Sequence, residues 1–288
     1  MCARRLHIPD TLNIGPIGLE ELYALITDIP TTSRFIFDMK RVRQVEPCGI
    51  IALLSLARHC TISSGNRVIL INLQESVYTY LNQINLFNFA EQWLTTIGYT
   101  GNNGSNALDS RHVIELVKIH KKRDVETTVD EVEGLFSPIV SGLGAGSLLS
   151  LVSELCANIY EHSQDPNGLA LIYGYCSENS DQVIIRLAVG DIGCGVPASI
   201  YKWYGKIGDE PIDYMRAAIG VATSRETRKG GYGLPRVQEI VAEYKGYLCL
   251  RSGTAALTYC DNKWEERKYL NPILGTQVSI EIHMGNEN

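Results

Sequence analysis

The sequence predicts an α/β protein in two domains, and three observations carry that prediction. In residues 1–100, short β-type runs alternate with apolar residues at helical spacing. A Gly- and Asn-rich stretch, Gly98–Asn106, then interrupts every apolar period and reads as a linker or exposed loop. Beyond it, two adjacent strand patterns form a hairpin signal among several amphipathic helical segments.

The elements follow in order. Phe35–Phe37 and Val68–Ile71 are short β-type runs, and Gly49–Cys60 and Glu75–Leu86 carry helical spacing. After the break, Arg111–Ile119 is expected as a strand, Lys121–Asp124 as a solvated turn and Glu126–Phe136 as an amphipathic helix. Gly142–Gly146 precedes a long helix expected from Ser147 to about His162. Leu169–Cys176 and Gln182–Val189 are the two strands of the hairpin, joined by the polar turn Ser177–Asp181. Val183, Ile185, Leu187 and Val189 alternate, so they share one buried face. Val196–Lys229 has no sustained period and reads as a long mobile loop containing a short helix. Gly230–Gly233 then opens a helix with Pro235 in its first turn and Gly246 after its end. Tyr247–Arg251 and Thr276–Ile282 are the last strand candidates.

Of 288 residues, 45% are hydrophobic and 20% charged, enough to bury at least one full core. The formal net charge of −6 argues against broad electrostatic binding to nucleic acid or to an anionic membrane, although Lys118, Lys121, Lys122 and Arg123 could form a local patch. Eight cysteines fall singly, with no CxxC pair and no histidine at zinc-ligand spacing, and are expected to be reduced and mostly buried, as in a cytoplasmic protein. No apolar run follows Arg4 and Arg5, so no signal peptide is expected. The longest apolar stretch, around Gly49–Ala57, is far short of the roughly 20 residues that a membrane span needs.

Three motifs could carry chemistry. On the helix Ser147–His162, Leu148, Leu151, Val152, Leu155 and Ile159 make an apolar arc, with Glu154 and Asn158 one turn apart on its border. A carboxylate and an amide in such a position need partners, which a ligand or a neighbouring loop could supply. Asp191-Ile192-Gly193-Cys194-Gly195 follows a buried strand, where glycines let a ligand approach the backbone and the carboxylate can accept a hydrogen bond from it. A plain turn explains that motif nearly as well. Lys229-Gly230-Gly231-Tyr232-Gly233-Leu234 leads into a helix N-terminus whose free N–H groups favour phosphate, with Arg225, Arg228 and Lys229 adding charge.

The order and spacing of these motifs, with Gly275-Thr276 before a final strand, resembles the Bergerat-fold (GHKL, HATPase) ATPases, a superfamily of gyrase, MutL, chaperones, histidine kinases and anti-sigma-factor serine kinases. The resemblance covers residues 125–283 and implies an α/β sandwich with a mixed sheet and helices on one face. It implies ATP and Mg²⁺ as cofactors. Asn158 would be the metal ligand, Glu154 the general base, and Asp191 the acceptor of the adenine amino group. Gly193 and Gly195 would make room for the base and the start of a lid; Gly231 and Gly233 would wrap the phosphates, Lys229 and Leu234 would belong to the same cofactor-binding set, and Thr276 would support the adenine end. His162, one turn beyond Asn158, is expected to be structural.

In the N-terminal part, Phe35–Asp38, then Glu46-Pro47-Cys48-Gly49-Ile50 opening an apolar helix, then Arg67–Leu70 resembles the STAS domain of anti-sigma-factor antagonists. Cys48 stands where that family carries a phosphorylatable serine, so a buried helix-start cysteine is expected there. The division is then 1–100 as a STAS-like domain, 101–124 as a connecting segment and 125–288 as the ATP-binding domain. Too little chain follows the last strand for a transducer domain, and Asp109–Gly134 is too short for a phosphoacceptor hairpin. The expected function is a cytoplasmic ATP/Mg²⁺-dependent signalling switch with slow hydrolysis, working with a regulatory protein partner and with neither nucleic acid nor membrane; a homodimer is left open. The alternatives are a protein serine kinase of the anti-sigma type and an interaction scaffold that holds ATP without turning it over.

Overall fold

The computed structural model describes residues 3–14, 19–25, 34–97, 111–140, 142–177, 182–221 and 233–285. The chain is mixed α/β, with one parallel and one antiparallel main sheet. The break at Gly98–Asn106 lies outside the described residues.

The N-terminal half runs β1 (Ala3–His7), β2 (Thr11–Leu12), α1 (Glu20–Ala24), β3 (Arg34–Asp38), β4 (Gln44–Val45), α2 (Pro47–Ser64), β5 (Val68–Ile71), α3 (Glu75–Gln83), α4 (Leu86–Phe89) and β6 (Leu94–Thr96). Strands β1, β3, β5 and β6 pair in that order, all parallel. Phe35 and Phe37 are fully buried, as are Val68 and Leu70, which is the period of two that a strand imposes on its faces. Helix α2 starts at Pro47, where a missing N–H matters least, and stops at Gly65, whose φ of +66° closes the last turn.

The remainder runs β7 (Arg111–Ile119), α5 (Lys122–Phe136), α6 (Gly142–Asn158), β8 (Gly168–Cys176), β9 (Gln182–Gly190), α7 (Gly195–Tyr204), α8 (Pro211–Arg216), α9 (Gly233–Glu243), β10 (Tyr247–Gly253), β11 (Ala255–Cys260), β12 (Lys263–Arg267) and β13 (Ile273–Gly285). Five-residue π-helical turns follow α6 and α8. The strands form one sheet in the order β12-β11-β10-β13-β9-β8-β7, and every pairing in it is antiparallel. This corrects the expected mixed sheet: among the described residues, parallel pairing is confined to the N-terminal half.

Both faces of the seven-stranded sheet are covered. On one, α5, α6 and α9 bury Phe136, Leu151, Leu155 and Ile240 against Val183, Ile185, Leu187 and Val189. On the other lies α2, whose second core includes Leu169, Leu171 and Ala188 of β8 and β9. Helices on one face therefore describe only the C-terminal segment's own contribution. Ile50, Ile51, Leu53, Leu54 and Leu56 expose nothing, each adding roughly 1.5–3 kcal/mol from burial. A helical segment apolar on all sides must be covered on all sides, and the two sheets cover Pro47–Leu54 of α2. Gly190 makes the approach close: a Cβ there would strike Ile51 Cγ2.

Other boundaries shift for local reasons. Gly142–Gly146 forms the first turns of α6 instead of preceding it. Lys121–Asp124 starts α5, because the Asp124 carboxylate accepts the N–H groups of His120 and Lys121 at 2.9 and 3.0 Å. The stretch expected as a loop after Val196 contains α7 and α8, and residues 222–232 lie outside the description. Among the described residues, helix Gly142–Ser163, not Gly49–Ala57, is long and apolar enough by length and composition to cross a membrane; half of its apolar window is buried in the core. Of the described cysteines, none is in a disulfide: Cys48, Cys60 and Cys156 are buried, Cys194 and Cys249 half-buried, Cys176 and Cys260 exposed.

Because α2 packs this closely on β9, Ile51 and Gly190 are energetically coupled. Ile51→Ala should cost about 2–5 kcal/mol and Gly190→Ala about 1–3 kcal/mol in equilibrium urea unfolding. The double variant should lose less than the sum by at least about 0.5 kcal/mol, since the new methyl enters the space the isoleucine leaves. Strict additivity would exclude this contact.

Candidate functional site

The apolar stripe of α6, Leu148, Leu151, Val152 and Leu155, fixes the rotation of the helix against the sheet. Glu154 and Asn158, four residues apart, are thereby left half-buried at its border. At Asn158 the helix widens into the π-helical turn Ile159–Ser163, a distortion frequent at functional sites. Among the described residues, the buried Asn158 Nδ2 has no hydrogen-bond partner. Such an unmet donor costs about 1–3 kcal/mol, so it marks a place where stability is not the governing requirement.

Asp191 stands at the tip of β9. Its N–H donates to the Thr276 carbonyl at 2.9 Å, and its Oδ1 accepts the Gly193 N–H at 2.8 Å. The residue is 5% exposed, and burial pushes its carboxyl up to about 7; the Gly193 hydrogen bond opposes this and the nearby Asp165 charge adds to it. Gly275, at φ +67°, lies so close beneath that a Cβ would run into the Asp191 backbone and carboxylate. The turn is also fastened to the π-helical turn. The Cys194 N–H donates to the Ser163 carbonyl at 2.9 Å, and a Cβ on Gly193 would overlap that carbonyl. The turns after Asn158 and after Asp191 thus form one unit.

Gly233, opening α9, closes the site from a third side. A Cβ on it would lie 2.6 Å from Glu154 Oε2 and 3.5 Å from Asn158 Nδ2. These elements surround a cavity of about 760 Å³. Glu154, Asn158, Asp191, Gly195, Gly233, Leu234 and Thr276 all line it. Gly193 does not; it is the contact to Ser163 behind the cavity. Lys229 and Gly231 lie outside the described residues. His162 borders the cavity, with Nε2 3.9 Å from Glu161 Oε2. One wall is apolar: Val196, Ile200 and Trp203 present one stripe of α7, with Trp203 56% exposed at the rim. Among the described residues no group of three His, Cys, Asp or Glu side chains could hold a metal, so a cation here would take few protein ligands.

Sequence reasoning missed the support under Asp191. Arg58 of α2 donates to Asp165 Oδ1 and to the Asn167 carbonyl, both at 2.6 Å, and both charged side chains are 3% exposed. Asp165 Oδ2 accepts the Ile192 N–H at 2.9 Å. Burial alone would raise the Asp165 carboxyl; the Arg58 guanidinium and the Ile192 and Asn167 N–H groups outweigh it and hold the carboxyl below its ordinary value. Two signals were available: Asp165-Pro166-Asn167-Gly168 is turn chemistry, and Arg58 is a cation ending an apolar run.

The Asp191 environment predicts a pH signature in the ligand-free protein. The folded-state value of about 7 is above the unfolded one, so the unfolded chain ionises first as pH rises from about 4. Stability is therefore lost between about pH 4 and 7. Asp191→Asn removes that loss. Its stability relative to the native sequence should grow by roughly 2–4 kcal/mol from pH 4 to pH 8, read by urea unfolding across pH. A constant difference would rule out a buried carboxyl of raised affinity for protons.

No protein-family model matches this chain, and no curated protein matches it, so what the cavity does is read from its own geometry.

Proposed function

We propose that the chain binds ATP with Mg²⁺ in this cavity and works as a nucleotide-dependent regulatory switch, with a Bergerat-type C-terminal part and a STAS-like N-terminal part. The observation that carries the reading is convergence: Glu154 and Asn158, Asp191, and Gly233, separated in sequence, line one cavity of about 760 Å³. That volume lies within the ordinary range for small-molecule sites.

Each feature has a matching ligand feature. Asp191 offers a buried carboxylate oxygen for the adenine amino group, and the apolar stripe of α7 offers a surface for the base. The start of α9 presents N–H groups that the helix itself does not bond, and a positive dipole end, both suited to phosphate. Gly233 must lack a side chain, because a Cβ would take the space beside Glu154 and Asn158. Asn158 would hold Mg²⁺ through its side-chain oxygen, leaving phosphate and water oxygens to complete the shell, in keeping with this cation's preference for oxygen. The metal would neutralise phosphate charge. Glu154, which lies beside Asn158 at Gly233, would accept a proton from an attacking hydroxyl or water.

A switch requires ATP to favour one arrangement over another, and α7 and α8 lie between the Asp191 turn and Gly233 in the chain. The seating of α2 on the same sheet gives the STAS-like part a physical connection to the site.

Calorimetric titration with Mg²⁺ and ATP, paired with phosphate release, tests the reading. Asp191→Ala and Asn158→Ala should weaken binding at least tenfold, about 1.4 kcal/mol each. Glu154→Ala should bind within about threefold of the native protein yet lose turnover. Transfer to a protein serine that disappears in Glu154→Ala would make the chain a kinase, and tight binding without phosphate release would make it a scaffold. Equal affinity in all four proteins overturns the site. GTP should bind about a hundredfold more weakly than ATP, because guanine presents an acceptor where adenine presents the amino donor.

A further inference from the structure

We propose that Arg58, on α2 of the N-terminal half, is a positioning residue for this site: through Asp165 it fixes the Ile192 amide and hence the Asp191 turn, so that nucleotide affinity depends on the seating of α2. The inference rests on the ATP reading above and extends it to regulation.

The connection has three links. Arg58 Nη2 is 2.6 Å from Asp165 Oδ1, and Nη1 is 2.6 Å from the Asn167 carbonyl, so one guanidinium holds both ends of the turn between α6 and β8. Its Cζ lies 5.0 Å from the Trp93 ring centroid, a contact that limits its movement. Asp165 divides its oxygens. Oδ1 takes Arg58 and the Asn167 N–H, and Oδ2 takes the Ile192 N–H at 2.9 Å. Ile192 is bonded to Asp191, whose N–H and Oδ1 are already committed to Thr276 and Gly193. The Ile192 amide is therefore a further tie on the turn, between those of Asp191 and that of the Cys194 N–H to the Ser163 carbonyl. The loop needs holding, since Gln164 sits at φ +60°, a conformation unfavourable to a residue with a side chain.

A second ion pair joins the two halves and serves as the comparison. Arg186 of β9 donates to Glu46 at 2.7 Å and also to Glu281 and Tyr173. It is five residues before Asp191, and neither Arg186 nor Glu46 lines the cavity. Both pairs secure α2, but only Arg58 touches the support of the Asp191 turn. By linkage, nucleotide binding must in turn tighten the seating of α2.

The test uses the full chain, titrated with Mg²⁺ and ATP well below each variant's unfolding temperature. In Arg58→Met/Asp165→Leu both charges are removed together, which avoids an unpaired buried carboxylate and keeps the site packed. It should bind at least tenfold more weakly while melting as a folded protein. Arg58→Lys keeps the charge but not the two-point grip, and should lose about threefold. Glu46→Gln should lower the melting temperature yet keep native affinity. In the native chain ATP should slow amide exchange in 47–64, and in the double variant it should not. Native affinity in both Arg58 variants, or an equal loss in Glu46→Gln, overturns the proposal; if the double variant does not fold, Arg58→Lys decides alone. Failure of the native chain to bind ATP would overturn the nucleotide reading itself, a separate outcome.

Discussion

Helix α2 is buried at every residue from Pro47 to Leu54 and, apart from the half-buried Ser55 and His59, as far as Cys60. Left on one sheet it would expose half of its apolar circumference, which the hydrophobic effect penalises at roughly 25 cal/mol per Å². The parallel sheet covers one side and β8, β9 and β13 cover the other. Much else follows from that requirement. Gly190 lacks a side chain so that Ile51 can approach, and Ala188 and Leu171 face α2, not water.

The same packing brings Arg58, near the C-terminal end of α2, into a place with no water to solvate it. A lone cation there would be prohibitive, and Asp165 and the Asn167 carbonyl meet it. A buried pair of this kind adds little net stability compared with an apolar pair of the same volume. Its contribution is geometric, since it fixes one orientation of the turn between α6 and β8. The Asp191 turn inherits that orientation through Ile192, and the π-helical turn after Asn158 inherits it through Ser163 and Cys194.

The cavity gathers groups that a core built only for stability would leave out. Asp191 is a buried carboxyl whose ionisation is opposed by its surroundings, and the Asn158 amide has an unmet donor. Gly233, Gly195 and Gly275 give up side-chain packing so that backbone can come close. These are unfavourable locally and are offset by two well-filled cores on either side of the sheet. Polar groups held unsatisfied by a rigid frame are what a preorganised ligand site requires, because the ligand then meets them without rearrangement.

The local pattern was legible in the sequence: strands at Phe35–Phe37, Val68–Ile71 and the β8–β9 hairpin, the helices α2, α5, α6 and α9, and, of the residues that border the cavity, Glu154, Asn158, Asp191, Gly195, Gly233, Leu234 and Thr276. Periodicity reports which positions are buried, and the Glu154/Asn158 spacing, the Asp191 turn and Gly233 are local features of that pattern. What they are buried against is a matter of long-range pairing, which leaves no trace in any short window. Only the tertiary structure decided that the large sheet is antiparallel, that β11 and β12 extend it, and that Gly193 packs behind the cavity instead of lining it. It alone joined Arg58 to Asp165, 107 residues apart, because a buried charge finds its partner through the fold and not through the spacing of its neighbours.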